Sequence, residues 1–190
     1  NRHMEHRMST LELKELSHPA GEVIKIASGK TLDLNSQGTL VLPTVPHAKM
    51  PTGSVLKVTQ SGTIARTTIT STGAWTATGL SDVITPISTS SKILVMVTVA
   101  TRFIGSSESR GGIRLKRGSD VVWNTQPHTE MIQFNVGGEN TQLVSMHYID
   151  SPSTTSATTY SIEAYLAVGT QMLLWESSRG AVITLMEIQG

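Results

Sequence analysis

Cysteine is absent from this chain of 190 residues. Its absence excludes a disulfide framework, a Cys-ligated zinc site and a thiol nucleophile. Charge is scarce as well: 15% of residues are charged and the formal net charge is +1. That balance excludes the basic footprint of a nucleic-acid binder. Long apolar runs are missing too. The longest, Ile93 to Ala100, is interrupted by Thr98 and falls well short of the ~20 apolar residues of a membrane span. No 12-residue window carries a 3.6-residue apolar period, so helices are not expected. Aromatics make up only 4% of the chain, which gives each one weight. Ser and Thr, in contrast, supply about a quarter of the residues, and Thr with Val suits pleated sheets. A cysteine-free all-β chain of this size is expected to draw stability from oligomerisation.

The opening NRHMEHR, residues 1–7, reads as a cloning scar, with Met8 as the natural start. The stretch after Met8 lacks the three-part layout of a secretory signal, so export by lysis or inside a particle is expected. From Val23 to Pro43 the pattern alternates. Gly29-Lys30-Thr31-Leu32-Asp33-Leu34 is echoed by Gly38-Thr39-Leu40-Val41-Leu42, with glycine turns between. Such short strands bury one apolar row each and cannot stand alone. They form either a stalk wound from three chains or a hairpin packed on the main domain. Pro43, Pro46 and Pro51 then interrupt regular structure, which sets a linker over 46–52. The expected division is a β-rich stalk over 8–45 and a β-sandwich head over 53–190.

In the head, about ten strand candidates follow at the turn spacing of a sandwich or jelly roll. They include Val55–Val58, Thr63–Thr70, Ala74–Thr78, Val83–Ile87, Gln142–Ile149, Thr158–Val168 and Val182–Ile188. The strongest is Lys92–Arg102. Ile93, Val95, Val97 and Val99 share one face, and Leu94, Met96 and Thr98 the other, so a central strand covered on both sides is expected. Arg117-Gly118-Ser119 marks a tight hairpin turn.

The segment from Met8 to Pro43 resembles the start of short tail-fibre or appendage proteins of marine podoviruses and related phages. Gly53-Ser54-Val55-Leu56-Lys57-Val58-Thr59-Gln60 resembles the first strand of their C-terminal head. Thr76-Ala77-Thr78-Gly79-Leu80 and Val83-Ile84-Thr85-Pro86 are similar to a recurrent pair of segments there. Ser88 to Val95, Gly112-Ile113-Arg114-Leu115 with Arg117-Gly118, and Val182 to Gly190 fit in the same order. The resemblance covers most of 8–190. It implies a homotrimeric virion fibre, on tail or capsid, held to other virion proteins by its N-terminal segment. Its head would contact a host-surface glycan or protein. Neither nucleic acid nor membrane insertion is implied, and no cofactor.

Phage fibres also include polysaccharide hydrolases, which need two carboxylates at a set separation. The head offers Glu108, Asp120, Glu130, Glu139, Asp150, Glu163, Glu176 and Glu187. Most lie in polar turns, where a solvated carboxylate is the ordinary reading. Glu163 and Glu187 lie in strands, where a salt bridge or a subunit contact is expected. Serine is too abundant for a Ser-His-Asp match to mean anything, and no Gly-x-Ser-x-Gly elbow or phosphate loop occurs. His147, within a strand, reads as structural. No catalytic centre and no single-chain metal site is therefore expected. His18 and His47 are the candidates for a metal on a threefold axis.

Binding suits the exposed chemistry better, and loops on a rigid sandwich are its usual carriers. Trp123-Asn124-Thr125-Gln126-Pro127-His128 combines an aromatic with amide and imidazole groups, and Ser106 to Gly112 adds Glu108 and Arg110. The candidate ligand-binding set is Trp123, Asn124, Gln126, His128, Arg110 and Glu108. Core packing or a subunit contact is the competing reading for Trp123. Trp175, beside Leu173 and Leu174, is expected to be buried, and Trp75 is open.

Overall fold

A strand with one apolar face is stable only when that face is covered, and here the apolar faces of two antiparallel sheets cover one another. The computed structural model describes residues 45–61, 65–105, 108–124, 132–134, 138–174 and 180–190. The expected scar and, apart from Val45, the expected stalk lie outside the described residues. Residues 45–190 form one compact unit. The linker is more regular than expected. Pro46 cannot donate, but its carbonyl accepts from Lys49 N–H at 2.8 Å, and His47–Lys49 form a single 3-10 turn.

The described residues contain eleven strands: β1 (Val55–Ser61), β2 (Thr67–Ile69), β3 (Trp75–Ile84), β4 (Lys92–Gly105), β5 (Ser109–Arg117), β6 (Asp120–Asn124), β7 (Ile132–Phe134), β8 (Gly138–Asp150), β9 (Thr158–Val168), β10 (Gln171–Leu174) and β11 (Val182–Ile188). The six-stranded sheet runs β1-β11-β4-β10-β2, with β8 on the other flank of β4. The five-stranded sheet runs β3-β9-β5-β6, with β7 also on β5. The chain is thus the expected all-β, jelly-roll-like sandwich. Each sheet is organised by one long strand. One edge of β4 is filled by β8, and the other is shared by β11 and β10. In the same way β5 has β9 on one side and β6 and β7 on the other.

Two expectations change. The candidates at Ala74–Thr78 and Val83–Ile87 are largely one strand, β3, whose register against β9 shifts between Ala77 and Ser81. Gly79 sits within the shift at φ 77°, where an L side chain would be strained. Thr78 secures it: its hydroxyl donates to Ile162 O at 2.6 Å and accepts from Leu80 N–H at 3.2 Å. The second change concerns β4. It is central, and Ile93, Val95, Val97 and Val99 are buried. Leu94, Met96 and Thr98 on its other face are only half-buried and line an open hollow.

Between the sheets the alternation gives one apolar layer. Val95, Val97, Phe103, Leu185 and Met172 from one side meet Leu80, Ile113, Leu115, Ile162 and Leu166 from the other. Each fully buried Leu or Ile contributes roughly 1.5–3 kcal/mol. The sheets approach closely at Gly111, where a Cβ would stand 2.8 Å from Phe103 Cε1 of the opposite sheet.

Polar groups close the layer. Asp150 on β8 receives Arg117 Nη1 from β5 at 2.9 and 3.1 Å, and the Tyr160 hydroxyl from β9 at 2.7 Å. This ties the two sheets together through a buried carboxylate. Burial, then the hydrogen bond to Asp150, pushes the Tyr160 hydroxyl far above the usual phenol range, so it stays a donor. Glu187, fully buried on β11, accepts from Ile87 N–H at 2.6 Å and from the Ser91 hydroxyl at 2.7 Å. Those bonds pin the crossing from β3 to β4. The C-terminus is fixed by Gly53 N–H donating to Gln189 O and Gln189 N–H to Ser54 O, both at 2.8 Å.

Removing Asp150 leaves the buried Tyr160 hydroxyl without its acceptor and Arg117 with Asp120 alone, 3.9 Å away. Asp150→Ala is therefore expected to cost about 3 kcal/mol in urea unfolding. A loss below about 1 kcal/mol would show that the tie between the sheets is unimportant.

Candidate functional site

The outer face of the five-stranded sheet gathers aromatic and charged side chains, all of them half-buried. On antiparallel strands, directly opposed residues point to the same side. Trp75 on β3 stands opposite Tyr165 on β9, and Glu163 on β9 stands opposite Arg114 on β5. Their alternation partners Thr78, Ile162, Ala164, Ile113 and Leu115 are buried, so this set faces outward. The Trp75 and Tyr165 rings have centroids 5.2 Å apart at 38°, a tilted pair. The Arg114 guanidinium lies over the Trp75 ring, 4.5 Å from its centroid. Gly112 stands opposite Tyr165 and adds no side chain there.

Glu163 organises the cations. Arg114 Nε donates to its Oε2 at 2.6 Å, with Nη2 bridging to the same oxygen, and Lys116 Nζ donates to Oε1 at 3.2 Å. Burial alone would raise the Glu163 carboxyl, but hydrogen bonds from Arg114 and Lys116 outweigh it and hold the group below its usual range. The carboxylate thus fixes a planar fork of donors beside two aromatic faces, with one positive charge left over. Such a surface can stack on the C–H faces of a flat ligand while donating to hydroxyl or anionic oxygens.

The residues expected from sequence divide differently. Trp123 lies on β6 opposite the buried Leu115 and packs against the core, as its competing reading held. Asn124 stands opposite Arg114 and so joins the border of the platform. Arg110 and Glu108 pair with each other at 3.2 Å near the start of β5. Four residues along an extended strand separate Arg110 from Arg114, roughly 13 Å, so this pair sits at the other end of β5 from the pairing with β6 that holds Trp123 and Asn124. Gln126, His128 and Trp175 lie outside the described residues, as do Glu130 and Glu176. The main platform residues, Trp75, Tyr165, Arg114 and Lys116, were missed as a site. The signal that could have found them is the alternation itself, which puts Trp75, Arg114, Glu163 and Tyr165 on outward positions.

The other carboxylates considered from the sequence that fall among the described residues each have a partner. Glu139 pairs with Arg102, Asp120 lies 3.9 Å from Arg117, and Asp150 and Glu187 are held as above. Glu163 forms the salt bridge expected of it, whereas Glu187 takes neutral donors. His147 is exposed on β8 rather than packed inside, and His47 is exposed in the 3-10 turn. Among the described residues no three His, Asp or Glu side chains cluster as metal ligands, and no helix is long and apolar enough to cross a membrane.

No protein-family model and no curated protein matches the chain. Among solved structures it is similar to a chain in the structure of infectious bursal disease virus, Gx strain, at 10% identity and a TM-score of 0.39. That likeness covers 79% of this chain and 42% of the other, so this chain spans less than half of its neighbour's length. A likeness of that strength carries no weight; the sandwich rests on its own strand pairings.

A carboxyl held low in the folded state stabilises the fold above its unfolded value and loses that contribution as pH falls through the folded one. Glu163→Gln is therefore expected to be less stable than the parent at pH 7, with the gap narrowing below the ordinary carboxyl value of 4.5. Urea unfolding at pH 7 and pH 3.5 measures both gaps, and an equal gap at the two values contradicts the assignment.

Proposed function

We propose that the chain is a non-enzymatic adhesion module, the head of a homotrimeric virion fibre that holds a surface glycan on the outer face of its five-stranded sheet. The observation that carries this reading is the platform of Trp75, Tyr165 and Arg114 ordered by Glu163. Sugars present apolar C–H faces and a rim of hydroxyls. An aromatic pair with a fixed guanidinium matches both, and Lys116 suits a carboxylated or otherwise acidic sugar. The rigid sheet holds the platform in place before a ligand arrives, so little ordering cost is added on binding.

The virion setting rests on the sequence resemblance over 8–190. A flat platform favours modest affinity at one site. Three copies on one fibre, and several fibres on a particle, raise the avidity by orders of magnitude without further contacts. The N-terminal segment then serves attachment to other virion proteins, and the head serves the cell surface.

The test is calorimetric titration of the full chain with purified bacterial surface polysaccharides, neutral and acidic. Trp75→Ala and Arg114→Ala are each expected to weaken binding at least tenfold, ~1.4 kcal/mol, without altering the far-ultraviolet spectrum. Unchanged binding by both variants would move adhesion off this face. Binding to none of the polysaccharides, with labelled virions still showing the protein in place, would leave a decoration role. Release of new reducing ends would make the protein a hydrolase.

A further inference from the structure

The platform sets two cations against one carboxylate. Glu163 gives its two oxygens to different partners: Oε2 takes Nε and Nη2 of Arg114, and Oε1 takes Nζ of Lys116. An arginine carries five N–H donors and a lysine three. Two of the five and one of the three are engaged here, so both side chains keep donors that have no partner among the described residues. Their cross-strand neighbours are neutral. Ser161 stands opposite Lys116 on β9, and on β6 Asn124 stands opposite Arg114 and Val121 opposite Lys116. One positive charge is therefore left without a counter-charge in the surrounding register.

We infer that Glu163 is an internal competitor for the acidic group of a ligand: it occupies the donors such a group would take, and a ligand anion enters by taking over one of its two cations. The inference deepens the adhesion reading and rests on it for the sugar that carries the anion. A second anion completes the network, giving each cation its own partner. The split between Oε1 and Oε2 lets one cation leave without breaking the contact to the other. Arg114 is the better held of the two. It meets Oε2 through two nitrogens, and its guanidinium also stacks on Trp75 at 4.5 Å. Lys116 makes a single contact of 3.2 Å from a flexible four-carbon stem, which makes it the cation that exchanges. The side chains of Arg114, Glu163 and Lys116 are 21%, 16% and 22% exposed, open enough for exchange yet partly shielded from salt. A sugar hydroxyl is a weaker acceptor than a carboxylate and does not displace Glu163. The platform is thus expected to select an acidic glycan over a neutral one, with Glu163 setting the strength of that selection.

Glu163→Gln removes the charge and keeps one acceptor oxygen for Arg114. NMR titration of the full chain, as parent and as Glu163→Gln, with glucose 6-sulfate, glucose and inorganic sulfate tests the inference. The Trp75 indole N–H, assigned by its loss in Trp75→Phe, reads the platform itself. Glucose 6-sulfate is expected to shift this signal in both proteins, with an affinity about fivefold higher in Glu163→Gln, and glucose to bind the parent about fivefold more weakly than its sulfate. Glu139→Gln makes the same change of net charge on the six-stranded sheet and is expected to match the parent. Lys116→Gln is expected to lose the gap between glucose 6-sulfate and glucose, and circular dichroism verifies that each variant is folded. Unchanged or weaker binding by Glu163→Gln, an equal gain by Glu139→Gln, or a gap that survives in Lys116→Gln would overturn the competition and leave the adhesion reading standing. Inorganic sulfate binding as tightly as glucose 6-sulfate, with the same gain in Glu163→Gln, would keep the competition and leave the sugar no part in it. A signal that no probe moves in either protein overturns both.

Discussion

The two-residue alternation of the strands, locked by register, is the constraint from which everything else in this molecule follows. Ile93, Val95, Val97 and Val99 face the interior only because β4 is paired without slippage to β8 along its length. A slip of one residue would expose that row and bury Leu94, Met96 and Thr98 instead. The same parity fixes the outer faces. It gives the six-stranded sheet an exterior in which Leu94, Met96 and Ile149 alternate with Thr98, Ser145 and Thr184, and the five-stranded sheet an aromatic and cationic one. Neither exterior can be altered without regard to the layer beneath it.

Buried polar groups hold that parity in place at one end of the sandwich, beside Ile93. Asp150 joins β8 of one sheet to β5 and β9 of the other, and Glu187 holds the crossing between β3 and β4. Asp150 uses donors on two strands of the opposite sheet, so relative sliding of the sheets would leave its charge buried without partners. The platform on β3, β9 and β5 inherits this rigidity. Its residues come from strands far apart in the chain and meet only because three registers agree.

Much of the fold was legible in the sequence. The limits of β9 and β11 and the hairpin at Gly118 follow from alternation and turn chemistry, and so does the central place of β4. The continuity of β3 was not, because Gly79 reads as a turn signal while in the structure it sits within a bulge. The open outer face of β4 was also missed, since an apolar row states that it needs cover and not what covers it. The site was the least legible part. Loops were the natural place to look, and Trp123 beside Asn124 carried the right residue types. Yet the register shift between Leu115 and Lys116 in the β5–β6 pairing leaves Trp123 opposite a core residue. Trp75, Arg114 and Tyr165 each read as outward positions, but no local pattern says that they stand side by side.

In the proposed reading Trp75, Tyr165 and Arg114 on the outer face of the five-stranded sheet meet the ligand. Hydroxyl-radical footprinting of the full chain, with and without an acidic surface polysaccharide, tests this most directly. The account requires that Trp75 and Tyr165 lose labelling when the polysaccharide is added while Met96 and Leu143 on the opposite face label equally in both states. Equal labelling of Trp75 and Tyr165 throughout, or protection of Met96 and Leu143 alone, would contradict it.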